Sequence, residues 1–182
     1  MPHISPVSQD EASQETKDVY ADFARKMLFA LPPNFIKTQG HSATVARATW
    51  DLVRGVLVSG QIPRWIKEMM FVAISKERNC HYCVAAHLAC CRMLGVHPDH
   101  LDALVRDIRL SKDLKLRDMI LFAVKCATDP QSLTGADYQQ LRDHGLKESE
   151  IVEVVAMSAL AVYANIIADA TTMESDPIFD KV

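Results

Sequence analysis

Residues 63–94, PRWIKEMMFVAISKERNCHYCVAAHLACCRML, decide the fold class of this chain. Apolar residues recur every three or four positions on both sides of a polar turn at Arg78-Asn79, which is the period of an α-helix and not of a strand. The stretch therefore predicts an antiparallel pair of helices joined near residue 78. Because the rest of the chain has the same periodicity and only six glycines in 182 residues, we expect an all-α protein without a sheet.

The helical pattern extends over most of the chain as a single predicted domain of residues 1–182. The predicted helices cover residues 11–28, 43–58, 63–77, 80–94, 98–106, 112–128, 135–143 and 147–172. We expect a helical bundle with an N-terminal helix and linker (1–34), a first repeat with the Cys-x-x-Cys site (35–107), a degenerate second repeat (112–172) and a tail (173–182).

The two predicted repeats are related by an offset of 85 residues, and the second lacks the catalytic residues. This offset aligns Gly60 with Gly145, Ile66 with Ile151 and Glu68 with Glu153. It places Cys80, Cys83 and His87 on Asn165, Ala168 and Thr172. The alternative is that any two amphipathic helices with a capping glycine overlay in this way.

Composition excludes several classes of protein. A chain with 49% hydrophobic and 24% charged residues has enough apolar material for a core, which argues against disorder. A net charge of -3 gives no electrostatic attraction to nucleic acid or to an anionic membrane surface. The N-terminal residues lack a secretory pattern, and no uncharged apolar run reaches about 18 residues, so we expect a cytoplasmic protein without a membrane span.

The five cysteines are an odd, clustered set, which favours catalysis or metal binding over a secreted disulfide framework. Cys80, Cys83 and His87 lie at positions i, i+3 and i+7, on one helical face. Asn79 is the expected N-cap, which would place both thiols in the first turn, where free backbone N–H groups and the helix dipole stabilise a thiolate. A histidine one turn after Cys83 can serve as its base or as an imidazolium partner.

A carboxylate completes the predicted site. In an antiparallel pair with its turn at Arg78-Asn79, Glu68 faces His87 or its neighbour. A glutamate on an apolar helix face needs a partner, and a histidine N–H is a natural one. In this arrangement Glu68 orients the imidazole, His87 handles the proton, Cys83 attacks, and Cys80 resolves by forming a disulfide.

The spacing Glu68, eleven residues, Cys80-x-x-Cys83, three residues and His87 resembles the signature of the alkylhydroperoxidase D family. That family lies within the carboxymuconolactone decarboxylase superfamily, and the chain is most similar to its peroxidase-related branch. The resemblance implies a thiol peroxidase that reduces organic hydroperoxides or hydrogen peroxide without haem, metal or flavin. It makes Cys83 the peroxidatic thiol, although the dipole argument favours the first cysteine.

The resemblance also implies how the cycle ends and how the chain assembles. A sulfenic acid on Cys83 would condense with Cys80 to a disulfide, and an external dithiol, in this family a lipoyl protein, would reduce it. It further implies a homo-oligomer, either a trimer or a dimer of trimers. Cofactors are not expected.

The chain departs from the best-studied members at the residue before the peroxidatic cysteine, where they carry a second histidine. Here that residue is Tyr82, and His81 lies one place earlier, about 100° away around the helix. Both are secondary candidates. Tyr82 could donate its hydroxyl to the peroxide, form an aromatic pocket wall, or simply pack.

Several alternatives remain open at the level of sequence. A carboxymuconolactone decarboxylase-like lyase on the same fold would have no evident need for the dithiol. A non-enzymatic redox or metal-responsive dithiol module would use Cys80, Cys83 and His87 as sensor or zinc ligands. Cys90, Cys91 and Cys126 are expected to be small core residues. Asn165 and Asp169 are expected to border the site or to cap and cross-link helices.

Overall fold

The structure is a computed structural model that describes residues 1–27 and 29–179. Within this part of the chain the regular elements are helices and no strand occurs, which confirms the all-α prediction. The nine α-helices of these residues are α1 (Gln14–Met27), α2 (Asn34–Thr38), α3 (Ala43–Val53), α4 (Arg64–Glu77), α5 (His81–Met93), α6 (Pro98–Arg106), α7 (Leu114–Thr128), α8 (Gly135–Asp143) and α9 (Glu148–Ala170). The predicted end of the first helix, Leu28, and the predicted tail residues 180–182 lie outside the described residues.

Each of the eight predicted helices has a counterpart, with ends displaced by a few residues. The segment predicted over residues 43–58 is α3 followed by a π-helical turn over Arg54–Val58. The short helix α2 was not predicted, because five residues are too few to show a period. Short 3-10 turns also occur at Gln39–His41, Ile108–Leu110 and Pro130–Ser132.

The prediction that Asn79 caps α5 is wrong. Cys80 occupies the N-cap position, and Asn79 has a φ of 57°, in the left-handed region. Asparagine tolerates that conformation better than most residues, so it can make the sharp reversal between two helices. The turn is closed by the backbone N–H of Cys80, which donates to the carbonyl of Ser75 at 2.9 Å.

Helices α4 and α9 form the centre of the core. Helix α4 packs against α5, α7 and α9, and eight of its fourteen residues are buried. Helix α9 is 23 residues long and, by length and composition alone, apolar enough to cross a membrane. Half of its most apolar window is buried inside the fold, where it packs against α4, α5 and α7, so the core accounts for much of its apolar character.

An ion pair between Lys67 and Glu153 links α9 to α4 and to the loop before it. Lys67, which is fully buried, lies 2.9 Å from Glu153, and Glu153 also accepts the backbone N–H groups of Gln61 (2.7 Å) and Ile62 (3.1 Å). Gly60 has a φ of 107°, and a Cβ there would lie 2.4 Å from the Glu153 carboxylate, so this loop requires glycine. Glu153, which the predicted repeat aligns with Glu68, therefore stabilises the packing of α9 against α4. The repeat itself stays a prediction.

The segment that follows α9 packs back onto the body of the protein. Asp176 and Phe179 are 7% and 4% exposed. The Asp176 carboxylate accepts the backbone N–H of Asn34 at the start of α2 (3.0 Å). The described part of the predicted tail thus forms a wall of the cleft described below.

Candidate functional site

The two thiols of the motif lie at the N-terminal end of α5. Cys80 is the N-cap residue and Cys83 is the third helical residue, so both lie beside backbone N–H groups that have no partner within the helix. Both are free thiols, and they are 0% and 2% exposed. The two side chains interact, because Cys80 raises the pKa of Cys83 more than any other group does.

Cys83, and not Cys80, lines a narrow apolar cleft. Its walls come from α1, α3, α4, α5, α9 and the segments around residues 33 and 179. They consist of Phe23, Met27, Phe29, Pro33, Phe35, Val53, Leu57, Phe71, Tyr82, Cys83, Ala86, His87, Cys90, Leu160, Ala164 and Phe179. Cys80 is not among the lining residues, so of the two thiols it is Cys83 that a molecule in the cleft meets.

Glu68 and His87 face each other across the α4–α5 pair, as the register predicted. The Nδ1 atom of His87 lies 2.5 Å from Oε2 of Glu68, whose side chain is fully buried. The other carboxylate oxygen accepts from Nε of Arg64 at 3.0 Å, one turn earlier on α4. The imidazole also stacks on Phe71, with ring centroids 3.5 Å apart. These contacts fix the imidazole, and the Glu68 carboxyl group bridges Arg64 and His87.

The Cys83 thiol is not activated by its surroundings alone. The interaction with Cys80 and then burial raise its pKa well above its ordinary value, and the charge on Asp169 adds to this. The Asn165 amide acts in the other direction and lowers the pKa of Cys83, but it does not offset these effects. A base is therefore needed to form the thiolate, and His87, one turn along the same helix face and lining the same cleft, is placed for it.

Tyr82 forms part of the cleft wall, and its hydroxyl is already engaged. It donates to Oδ2 of Asp176 at 2.8 Å and accepts the backbone N–H of Phe35 at 3.0 Å. Burial, followed by the charge of Asp176, raises the pKa of this phenol well above its ordinary value. Its ring meets Phe179 edge to face, with centroids 5.8 Å apart. Of the alternatives for Tyr82, the aromatic wall is the one that this geometry supports.

His81 does not join the site. It is exposed at the first position of α5 and is absent from the cleft wall. Consecutive residues diverge by about 100° around a helix, which carries His81 away from the face shared by Cys83 and His87. It therefore does not substitute for the second histidine of the related proteins.

We expect Tyr82→Phe to lower the free energy of unfolding by about 1–3 kcal/mol, because it leaves the buried Asp176 carboxylate and the Phe35 N–H each without one partner. Urea denaturation followed by circular dichroism measures the change. Tyr138→Phe is the matched control, since that ring packs on Phe122 (centroids 5.1 Å apart) away from the cleft. Equal losses in the two variants would show that the Tyr82 hydroxyl does not fasten the C-terminal segment.

One group of side chains has the proximity of metal ligands. One ligand atom each from Glu68, His87 and Cys90 lies within 4.8 Å of the other two. The Arg64 guanidinium donates to the same Glu68 carboxylate, so a cation bound there would meet a fixed positive charge. Among the described residues, Cys80 and Cys83 do not belong to a metal-ligand group of this kind. The zinc hypothesis for the dithiol therefore gains no support.

Sequence reasoning missed three contributors to this site. Arg64 lies four residues before Glu68, so the helical spacing contains a signal for that ion pair. Cys90 is predicted to be a core residue without chemistry. It is 3% exposed, as a core residue would be, but it also lines the cleft. Asp176 reaches the site from a distant part of the chain, and no local spacing predicts such a contact. Asn165, expected to border the site or to cross-link helices, links α9 to α4 through its hydrogen bond to Ser75.

Three comparisons place the chain among known proteins. Residues 43–110 match the model of the carboxymuconolactone decarboxylase family. Over 85 residues the chain is 32% identical to an alkyl hydroperoxide reductase of Mycobacterium tuberculosis, a match that covers 47% of this chain and 24% of that protein. The matched segment thus spans about a quarter of the relative's length. These matches confirm the resemblance that the motif predicted.

Solved structures share the fold along nearly the whole chain. A peroxidase-related protein of Ralstonia eutropha with an alkylhydroperoxidase AhpD core has a TM-score of 0.88 at 23% identity, covering 98% of this chain and 94% of that one. A peroxidase-related protein of Silicibacter has a TM-score of 0.86 at 24% identity, with the same coverage. The debrominase Bmp8, solved as a cysteine-to-alanine variant with 2,3,4-tribromopyrrole, has a TM-score of 0.84 at 19% identity, again covering 98% and 94%.

Proposed function

We propose that this chain, which resembles the carboxymuconolactone decarboxylase family over residues 43–110, is a thiol-dependent peroxidase of the alkylhydroperoxidase type. The observation on which this rests is that Cys83 lines an apolar cleft together with His87, which is bound by Glu68, while Cys80, three residues earlier at the N-cap of the same helix, interacts with Cys83. A nucleophile, a base with its orienting carboxylate and a resolving thiol are the groups that such a cycle requires.

In the first step His87 takes the proton of the Cys83 thiol, and the thiolate sulfur attacks the terminal oxygen of a hydroperoxide. The O–O bond breaks, an S–O bond forms, and the proton held by His87 goes to the leaving oxygen, which departs as an alcohol or as water. Sulfur is oxidised to a sulfenic acid and the peroxide is reduced. The Glu68 carboxylate stabilises the imidazolium that exists between the two proton transfers.

In the second step the Cys80 sulfur attacks the sulfenic acid of Cys83, a disulfide forms and water leaves. An external dithiol then reduces the disulfide by thiol exchange, which returns both thiols and closes the cycle. We propose a lipoyl protein as this reductant, from the family resemblance, and the reducing cytoplasm as the place where the cycle runs. The apolar walls of the cleft favour organic hydroperoxides over hydrogen peroxide, because they gain from burying a hydrocarbon group.

We also propose that the protein works as a homo-oligomer, a trimer or a dimer of trimers, as the resemblance implies. Val152, Val155 and Ile166 are 66%, 40% and 53% exposed on one outer face of α9. A contiguous apolar stripe of this kind suits a subunit contact. Light scattering coupled to gel filtration measures the mass, and a monomer at micromolar concentration would contradict the proposal.

A second candidate is reductive dehalogenation of an aromatic ring. It is favoured by the aromatic lining of the cleft, where Phe35, Phe71 and Phe179 are lining residues together with Cys83, and by the shared fold with a debrominase. The balance is simple. Two thiols give up two electrons and two protons and become a disulfide, while an aryl bromide becomes the arene and hydrogen bromide.

The decisive experiment adds one equivalent of cumene hydroperoxide, or of 2,3,4-tribromopyrrole, to the reduced, metal-free protein. Free thiols are counted before and after, and the tryptic peptide of residues 79–92 is analysed by mass spectrometry. We expect loss of two thiols with the hydroperoxide, and a peptide that is lighter by two hydrogen atoms and contains a Cys80–Cys83 bond.

The other outcomes separate the alternatives. Thiol loss with release of bromide from the pyrrole, and none with the hydroperoxide, would replace the peroxidase by the dehalogenase. Slow loss scattered over all five cysteines would contradict both and favour the lyase or the metal-responsive module. A single stoichiometric oxidation that a dihydrolipoyl protein cannot reverse would point to a redox sensor.

A further inference from the structure

The cleft at Cys83 is too narrow, as it stands, for an aromatic substrate. Its cavity volume is about 50 Å³, and Cys83 is 2% exposed. A cavity that holds a benzene molecule inside a protein has a volume of about 150 Å³. Cumene hydroperoxide and 2,3,4-tribromopyrrole are both larger than benzene. A wall of the cleft therefore has to move before either molecule reaches the Cys83 sulfur.

One wall belongs to a segment with few anchors. Residues 174–179, which we call the strap, follow α9 without forming an α-helix. Of these six residues Asp176 and Phe179 are buried, and Phe179 lines the cleft. The Phe179 ring meets the rings of Phe29 and Tyr82 edge to face, with centroids 6.2 Å and 5.8 Å apart. A segment held by so few buried contacts opens at a lower cost in free energy than the helices around it.

The Asp176 carboxylate holds the strap to two other elements of the cleft. Both of its oxygens accept the backbone N–H of Asn34 at 3.0 Å, and Oδ2 also accepts the Tyr82 hydroxyl at 2.8 Å. Asn34 is the first residue of α2, whose next residue, Phe35, lines the cleft. Tyr82 directly precedes Cys83 on α5. One carboxylate thus connects the strap with α2 and α5.

These contacts suit a strap that opens and closes. When the strap leaves, the hydrogen bonds of Asp176 exchange for hydrogen bonds to water, so their net contribution to closure is modest. Phe179 adds the cost of exposing one apolar ring. The closed strap is therefore favoured by a small sum of contacts, and removal of the carboxylate shifts the balance toward the open strap.

We propose that Asp176 is a positioning residue that determines which molecules reach Cys83, because it holds Phe179 over the cleft. Hydrogen peroxide, which is little larger than water, enters the closed cleft, whereas larger organic molecules enter after the strap has opened. Binding of a large molecule is then reduced by the fraction of protein in which the strap is open. The proposal rests on the proposed function only where peroxide reduction is the readout.

The first measurement follows binding without any reaction. In a Cys83→Ser background, 2,3,4-tribromopyrrole is mixed with the protein, and quenching of tryptophan fluorescence in a stopped-flow instrument gives the association rate constant. Trp50 reports on the cleft, because its ring lies 5.0 Å from that of the lining residue Phe23. We expect Asp176→Ala to raise this constant about tenfold or more. Asp176→Asn should raise it less, since the amide keeps one acceptor oxygen.

Glu174→Ala is the matched control within the same strap. It removes a carboxylate whose side chain is 65% exposed, and it keeps the backbone carbonyl that accepts Nδ2 of Asn34 at 3.1 Å. The association rate constant should not change. Phe179→Ala removes the wall itself and should raise the constant, which provides a second test if Asp176→Ala does not fold. Thermal unfolding identifies the variants that fold.

The second measurement compares two peroxides with Cys83 intact. Asp176→Ala should raise the ratio of the rate with cumene hydroperoxide to the rate with hydrogen peroxide about tenfold. If Asp176 only supports the fold, both rates fall together and the ratio stays the same, which would overturn the proposal. Association rates in Asp176→Ala and Phe179→Ala no higher than in Glu174→Ala would overturn it as well. A protein inert toward both peroxides would refute the peroxidase proposal and leave the binding measurement to decide this one.

Discussion

Replacement of Cys83 by serine is expected to lower the rate of hydroperoxide consumption to less than about one thousandth of the wild-type rate. Cys83 is the motif thiol that lines the cleft, and an alcohol at this position does not ionise under conditions in which the protein is folded. The rate is followed by loss of cumene hydroperoxide in the presence of a dihydrolipoyl reductant. Folding of the variant is checked by circular dichroism.

Cys80→Ser gives the complementary result. Its first step should proceed, and the protein should stop as a sulfenic acid on Cys83 that is trapped by dimedone and located in peptide 79–92. Cys126→Ser is the control for loss of a thiol, because Cys126 lies on α7 outside the cleft wall, and it should keep its activity. Intact turnover in Cys83→Ser, with the dimedone adduct on Cys80, would reverse the two roles.

The reversed assignment has a physical argument of its own. A thiol at the N-terminal end of a helix is stabilised as a thiolate, and Cys80 lies nearer that end than Cys83. The interaction with Cys80 also raises the pKa of Cys83. We propose Cys83 as the reacting thiol because it lines the cleft and Cys80 does not, so a hydroperoxide in the cleft would meet the Cys83 sulfur.

The part of this site that could be predicted from the sequence lies on α4 and α5, which are neighbours along the chain. A two-residue reversal at Arg78-Asn79 leaves little freedom in the register of the two helices. Counting residues outward from this turn therefore predicted that Glu68 faces His87. The hydrogen bond between them is present at 2.5 Å. The helical positions of Cys80, Cys83 and His87 depend only on the period of 3.6 residues.

The same turn shows where local reasoning fails. Asparagine is a good N-cap and also a residue that adopts positive φ, and the sequence does not say which property is used. The structure uses the second, so Cys80 takes the cap position one residue later. The consequence for the chemistry is small, because both thiols still lie in the first turn.

Contacts between distant parts of the chain leave no local pattern in the sequence from which they could be predicted. Asp176 reaches Tyr82 across 94 positions, and Asn165 reaches Ser75 across 90. Neither partner has a periodic signal, since each depends on how whole helices pack. The offset of 85 residues aligns Asn165 with Cys80, and Asn165 donates to Ser75, whose carbonyl accepts the backbone N–H of Cys80.

The second large effect is expected for Glu68→Gln, which should lower the rate of hydroperoxide consumption about a hundredfold to a thousandfold. The amide keeps the shape of the side chain but removes the negative charge that faces Nδ1 of His87. An imidazolium is then no longer stabilised, so His87 becomes a weaker base toward Cys83. Rates are measured per folded molecule, over the pH range in which the variant is stable.

Loss of the charge also weakens the fold, and a matched variant separates the two effects. Glu153→Gln removes the carboxylate of the other ion pair of α4, the one with Lys67, which does not line the cleft. It should lower stability because buried Lys67 loses its carboxylate partner, whereas activity per folded molecule should be unchanged. Comparable losses of activity in both variants would mean that Glu68 acts only through stability.

The pH dependence of stability gives an independent check on this control. Burial opposes ionisation of Glu153, but hydrogen bonds from Gln61, Lys67 and Ile62 outweigh it, so the folded-state pKa lies below the ordinary value of 4.5. A carboxyl group with a lowered pKa contributes stability above its ordinary pKa and loses it as the pH falls through the folded value. The stability gap between wild type and Glu153→Gln should therefore be full at neutral pH and shrink below about pH 4.5. If the difference in stability between wild type and Glu153→Gln persists in acid, the charge of Glu153 is not what binds α9 to α4. Glu153→Gln would then be unsuitable as the control for the loss of charge in Glu68→Gln.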